Sequence, residues 1–136
     1  MPGAIAPNSP WADLTKTGDS YQTNEWVDNV LVSYDGYLGR AARLYAGAHD
    51  MADPLLSPIN GTFEDFPPTT LTAGTRDLFL SNTARVHRAL RRAGVEADLN
   101  VYEGFSHAQQ IFDWTMPETR EIYAEITAFL DANLMK

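Results

Sequence analysis

The chain has 136 residues, 44% of them apolar and 21% charged, with no cysteine and a formal net charge of -8. That length holds one domain with one core, and the composition argues against disorder throughout. The acidity argues against binding a phosphate backbone, and the missing cysteines remove disulfides and thiolate metal sites. No apolar run approaches the ~18 residues of a membrane-spanning helix, and the start Met1-Pro2-Gly3-Ala4-Ile5-Ala6-Pro7 lacks the charged and then apolar pattern of a signal peptide. These features fit a reducing cytoplasm.

In chain order, Ala4-Ile5-Ala6 reads as a first strand ended by Pro7, and Ser9-Pro10-Trp11 as a turn. Pro7-Asn8 is polar and rigid where an apolar pair would continue the strand, so the strand end is expected to be disturbed. From Asp35 to Ala46, apolar Tyr37, Leu38, Ala41, Leu44 and Tyr45 fall at helical spacing, and Gly47 stops the helix. Asp53-Pro54 and Ser57-Pro58 mark an extended loop. Residues 10 to about 60 thus read as an insertion of short helices between the first strand and the next.

From Thr69 onward the signals are cleaner. Thr69-Thr70-Leu71-Thr72-Ala73 is a short, β-branched, buried strand, followed by the loop Gly74-Thr75-Arg76-Asp77. Ser81 or Asn82 is placed to cap a helix that carries Val86, Ala89, Leu90 and Ala93 on one stripe and stops at Gly94. Val95 to Tyr102 alternates, with Ala97, Leu99 and Val101 on one face, and the loop Gly104-Phe105-Ser106-His107 follows. Thr115, Pro117 and Glu118 form a capping-box start for a last helix with Ile122, Tyr123, Ile126, Phe129, Leu130 and Leu134 at helical spacing. Strand, helix, strand, helix implies a parallel sheet with functional groups in the loops after its strands. Those loops carry Asp77 and His107.

A buried carboxylate that holds an imidazole orients it and stabilises its protonated form. Spacing alone leaves two readings open: such a pair, or an aspartate that caps a turn beside an ordinary loop histidine. Two serines compete as nucleophiles, Ser20 in Gly18-Asp19-Ser20-Tyr21-Gln22 and Ser106 in Gly104-Phe105-Ser106-His107-Ala108. The first has bulky residues where a Gly-x-Ser-x-Gly elbow needs small ones, and the second lacks the final glycine and adjoins His107. His49 and His87 read as exposed rather than ligating, and no His/Asp/Glu spacing suggests a metal site. The arginines Arg85, Arg88, Arg91 and Arg92 read as a solvated helix face. Trp11, Trp26, Tyr34, Tyr37 and Tyr45 either line a pocket or pack.

The stretch from Ser9-Pro10-Trp11-Ala12-Asp13-Leu14, through Asp53-Pro54-Leu55-Leu56-Ser57-Pro58 and Pro67-Pro68 to Gly74-Thr75-Arg76-Asp77, resembles the C-terminal part of the hormone-sensitive-lipase-like esterases, a branch of the α/β-hydrolase fold. Ala93-Gly94-Val95, Val101-Tyr102-Glu103-Gly104 and His107 continue the resemblance, which covers nearly the whole chain. Thr75 to Asn82 and Ser106-His107-Ala108-Gln109 look most like monoterpene ε-lactone hydrolases. The resemblance implies a partial α/β-hydrolase fold of three parallel strands, flanking helices and a helical insertion at about 10–60 that contributes to a cap, with the acid and histidine half of the core at 67–136. It implies Asp77 as triad acid, His107 as general base, an ester or lactone as substrate, and no metal or organic cofactor. The nucleophile elbow and the oxyanion loop would lie N-terminal to Met1, so the chain alone is expected to be inactive. A non-catalytic module for binding or assembly is the alternative. The open edge at Ala4-Ile5-Ala6 predicts self-association, pairing with a missing N-terminal half, or instability; the resemblance adds dimers through Ala97 to Tyr102.

Overall fold

Two parallel strands, β1 (Thr69–Gly74) and β2 (Ala97–Tyr102), carry the fold in a computed structural model that describes residues 2–134. They run in register from Thr69 opposite Ala97 to Gly74 opposite Tyr102. All six β1 residues are buried, which suits a β-branched run enclosed on both edges and both faces. The N-terminal segment lies along its other edge, also parallel, bridged at Ile5–Thr69 and Asn8–Thr72. The expected first strand is therefore present as two isolated bridges in one register.

Pro7 explains the interruption. The Ile5 N–H donates to the Pro68 carbonyl, the Thr70 N–H to Ile5, the Thr72 N–H to Pro7 and the Ser9 N–H to Thr72. The remaining rung would need an N–H at residue 7, which proline lacks. Immediately afterwards the chain turns away at Ser9, whose φ is 47°.

Helix α3 (Leu80–Arg92) connects β1 to β2 and buries Val86 and Leu90 against Leu71 and Ala97, with Ala12 and Phe63 closing the cluster. Gly94, at φ 79°, ends it as expected. Ser81 and Asn82 do not cap it. They lie inside its first turn and fasten the insertion: Ser81 Oγ accepts from the Ser20 N–H at 3.0 Å, and Asn82 Oδ1 accepts from the Ala12 N–H at 3.2 Å. The other sheet face carries the last helix (Pro117–Leu134), which buries Ile122 and Phe129. Thr115 forms no capping box, because its hydroxyl turns back to Asp113. Val101, expected on the same covered face as Ala97 and Leu99, is 43% exposed.

The insertion folds as short helices, α1 (Ser20–Thr23) and α2 (Gly39–Ala46), and turns. The helix expected from Asp35 becomes regular only at Gly39, because Gly36 leaves helical dihedrals at φ -78° and ψ -128°. Tyr21, Leu31, Tyr34 and Leu38 make a second core with Leu78 and Phe79, the residues that follow Asp77. The insertion is thus built onto the acid loop. No helix among the described residues is long and apolar enough to cross a membrane.

One buried ion pair also fixes the insertion to α3. The Asp13 carboxylate accepts from the Arg85 guanidinium at 2.7 Å and from the hydroxyl and amide of Thr15. Burial by itself raises the Asp13 pKa, but the Thr15 hydrogen bonds and Arg85 outweigh it and hold the group below its usual 3.8. A depressed folded pKa means that the unfolded chain binds the proton more tightly, so this stabilisation is present above about pH 3.9 and is lost as pH falls through the folded value. Asp13→Asn is expected to lower stability at neutral pH by roughly 1–3 kcal/mol. Its urea midpoints should converge on those of the parent chain as the pH is taken below that range.

Candidate active site

Because β1 and β2 are parallel, the loops after Gly74 and Tyr102 leave the sheet at the same end. Three hydrogen bonds staple them. The Thr75 N–H donates to the Tyr102 carbonyl at 2.9 Å, the Arg76 N–H to the Phe105 carbonyl at 3.0 Å, and the Gly104 N–H to Thr75 Oγ1 at 2.8 Å. The contact is so close that a Cβ added to Gly74 would sit 1.9 Å from the Phe105 carbonyl oxygen.

The staple brings Asp77 and His107 together, with Oδ1 3.3 Å from Nδ1. Asp77 is fully buried, whereas the imidazole is 21% exposed. Asp77 Oδ1 also accepts from the Phe79 N–H at 2.8 Å, so the carboxylate both caps its own turn and faces the histidine. Its Oδ2 is buried without a hydrogen-bond partner among the described residues. The ring of Phe79 meets the imidazole edge-on at 5.2 Å and stacks on Trp11 at 5.1 Å, which limits rotation of His107. Directly after His107 the backbone turns through Ala108 at φ 46°.

Two insertion residues that the local sequence did not single out hold the acid loop. Asn24 Nδ2 donates to the carbonyls of Thr75 and Asp77, at 3.1 and 2.8 Å. Asp28, 1% exposed, accepts from the N–H groups of Val30 and Leu31, from Leu78 at 2.8 Å and from His107 at 3.5 Å. An Asp-Asn pair in a loop reads as a turn. Its partners lie 50 and 79 positions away, so no local signal marks them.

Both candidate nucleophiles are buried structural groups. Ser20 Oγ donates to the Leu78 carbonyl at 2.8 Å and accepts from the Ser81 N–H at 2.9 Å. Ser106 Oγ accepts from the Asn29 N–H at 3.2 Å, and the residue is 2% exposed. Ser20→Ala strands two buried partners and is expected to destabilise the fold by about 1–3 kcal/mol. The check is urea denaturation, with a change below 0.5 kcal/mol, roughly the level of a neutral surface substitution, counting against this assignment.

His49 is exposed as expected, while His87 is half-buried, with Nε2 3.2 Å from the Ala97 carbonyl. Among the aromatics, Tyr34 is core and packs edge-on against Tyr21, Trp26 and Tyr37 face solvent, and Trp11 and Tyr45 line an apolar groove beside α2.

A profile for the alpha/beta hydrolase fold matches residues 1–111. The chain belongs to this family. The crystal structure of an esterase, E25, is 52% identical, superposes with a TM-score of 0.96 and covers 98% of this chain and 41% of its own. An esterase from the bacterial hormone-sensitive lipase family is 30% identical, with a TM-score of 0.92, covering 98% of this chain and 44% of its own. An esterase of Acinetobacter venetianus is 26% identical over 95% of this chain and 42% of itself. This α/β-hydrolase chain therefore spans less than half the length of the relatives it matches.

Proposed function

We propose that this chain supplies the acid and base of a serine-dependent carboxylic-ester hydrolase. Asp77 orients His107, which takes the proton of a serine hydroxyl as that oxygen attacks the ester carbonyl. The imidazolium then returns the proton to the leaving alcohol, and water releases the acyl group by the same route. The observation that carries this reading is a fully buried carboxylate against a partly exposed imidazole, at the shared end of parallel strands. The 3.3 Å separation is long for a charge-assisted bond, a looseness common in catalytic pairs before substrate binds.

The sequence holds six serines, none in a Gly-x-Ser-x-Gly elbow. The nucleophile and the oxyanion donors are assigned to residues outside this sequence, residues 10 to about 60 to part of a cap, and residues 67–136 to the acid and histidine half of the core. In this reading the complementary half pairs along the edge formed by Ile5 to Ser9. Without that half the chain self-associates, through this edge or through β2; a monodisperse monomer at high concentration by light scattering would contradict this.

The activity test uses a p-nitrophenyl ester. The chain alone should give no turnover. Joined to the part of the 52%-identical esterase that it does not cover, it should hydrolyse the ester. A folded chimera without activity would instead favour a non-catalytic module. An ε-lactone in the same assay tests the finer substrate reading.

A further inference from the structure

The insertion contributes a buried carboxylate at a place where the acid and histidine loops both come within reach. Asp28 Oδ2 accepts the N–H of Leu78, the residue after Asp77, at 2.8 Å. Its Oδ1 faces the N–H of His107 itself at 3.5 Å, while also taking those of Val30 at 2.8 Å and Leu31 at 3.2 Å. Both oxygens are therefore used, each toward a different loop, and one rigid carboxylate sets the spacing between the two backbones. An ionised aspartate is an acceptor at both oxygens, whereas asparagine would turn an N–H2 toward one of these N–H groups. No salt bridge reaches Asp28 among the described residues, so peptide dipoles alone offset its removal from water.

The segment that presents Asp28 is strained on both flanks. Trp26 and Val32 take φ values of 64° and 62°, a region that a β-branched residue rarely enters, and the loop is closed by the Trp26 N–H on the Val32 carbonyl at 2.8 Å. Such strain persists only where the surroundings over-determine it. Here the surroundings are the Asp28 bonds, the Asn29 N–H on Ser106 Oγ and the Asn24 clamp on the Thr75 and Asp77 carbonyls.

We propose that Asp28 is a positioning residue for the Asp77–His107 pair, acting on both loops through their backbones. This rests on the acid–base reading above and extends it. The test is a long-range proton–nitrogen NMR correlation of the histidine side chains in the full chain, at a pH where His107 is neutral. In the parent chain His107 should carry its proton on Nδ1, facing Asp77. Asp28→Asn should keep the dispersed amide spectrum of the fold but move His107 toward the Nε2–H form of a free imidazole, with His49 and His87 unchanged. A folded Asp28→Asn with the parent His107 signals overturns the proposal while leaving the pair intact. If instead Asp77→Ala, which removes the acceptor altogether, leaves His107 unaltered, the pair itself is refuted. Should Asp28→Asn fail to fold, Asp28→Glu keeps the charge but displaces the oxygens. Folding with loss of the Nδ1 proton supports positioning, and folding with the parent signals overturns it. Failure of both variants to fold makes Asp28 a folding residue and also overturns it.

Discussion

Gly74→Ala is expected to unfold the chain. The added Cβ would meet the Phe105 carbonyl oxygen at 1.9 Å, its carbon at 2.4 Å and the Phe105 Cβ at 2.6 Å. Two of these atoms are backbone, held by the Arg76 N–H on the Phe105 carbonyl and the Thr75 N–H on the Tyr102 carbonyl, so no side-chain rotation relieves the clash. Relief requires the ends of β1 and β2 to part. That breaks the staple, exposes Leu78 and Phe79 and separates Asp77 from His107. The expected loss exceeds the ~3 kcal/mol of ordinary overpacking and is a large fraction of a typical domain's ~5–15 kcal/mol. Far-UV circular dichroism with urea titration measures it; a cooperative transition within about 1 kcal/mol of the parent, the size of a typical point-mutant effect, would show that the two loops do not depend on this approach.

The second large effect concerns chemistry. In the chimera that restores the remainder of the fold, His107→Ala is expected to lower kcat by on the order of 10⁴-fold, with little change in KM, because the base acts on the transition state rather than on substrate binding. Asp77→Asn should be comparably damaging. The same Oδ1 serves the Phe79 N–H and faces His107 Nδ1, so an asparagine that keeps both contacts keeps the acceptor but loses the negative charge that stabilises the imidazolium. The double variant should be no worse than His107→Ala alone, since the two residues act as one unit. Steady-state kinetics on the folded variants decide this; an Asp77→Asn variant within tenfold of the parent would remove Asp77 from the mechanism.

What was legible in the sequence followed from local physics. The β-branched run at Thr69, the stripe of Val86 and Leu90 and the Gly94 stop define β1 and α3, and their order places Asp77 and His107 at one end of the sheet. The disturbance at Pro7-Asn8 was visible too, because a missing N–H is a property of one residue. The rest depended on distant partners. Ser81 and Asn82 look like caps locally, yet their side chains serve Ser20 and Ala12, 61 and 70 positions away. Tyr34, which the sequence leaves open between a pocket and packing, is a core ring whose hydroxyl donates to the Leu14 carbonyl. Gly74 matters through Phe105, and Asp28 through two loops that meet only once the parallel strands have paired. The missed features are those where tertiary contacts reassign polar side chains that have an adequate local role in the sequence.

The central claim is a division of labour: acid and base on this chain, nucleophile elsewhere. Covalent labelling tests it most directly. The chimera and the chain alone are treated with a phosphonate ester that captures an activated serine, and the adduct is located by peptide mass spectrometry. The account requires an adduct on a serine of the added half, abolished by His107→Ala, and none on the six serines of this chain in either sample. An adduct on Ser20 or Ser106 of the chain alone would contradict it.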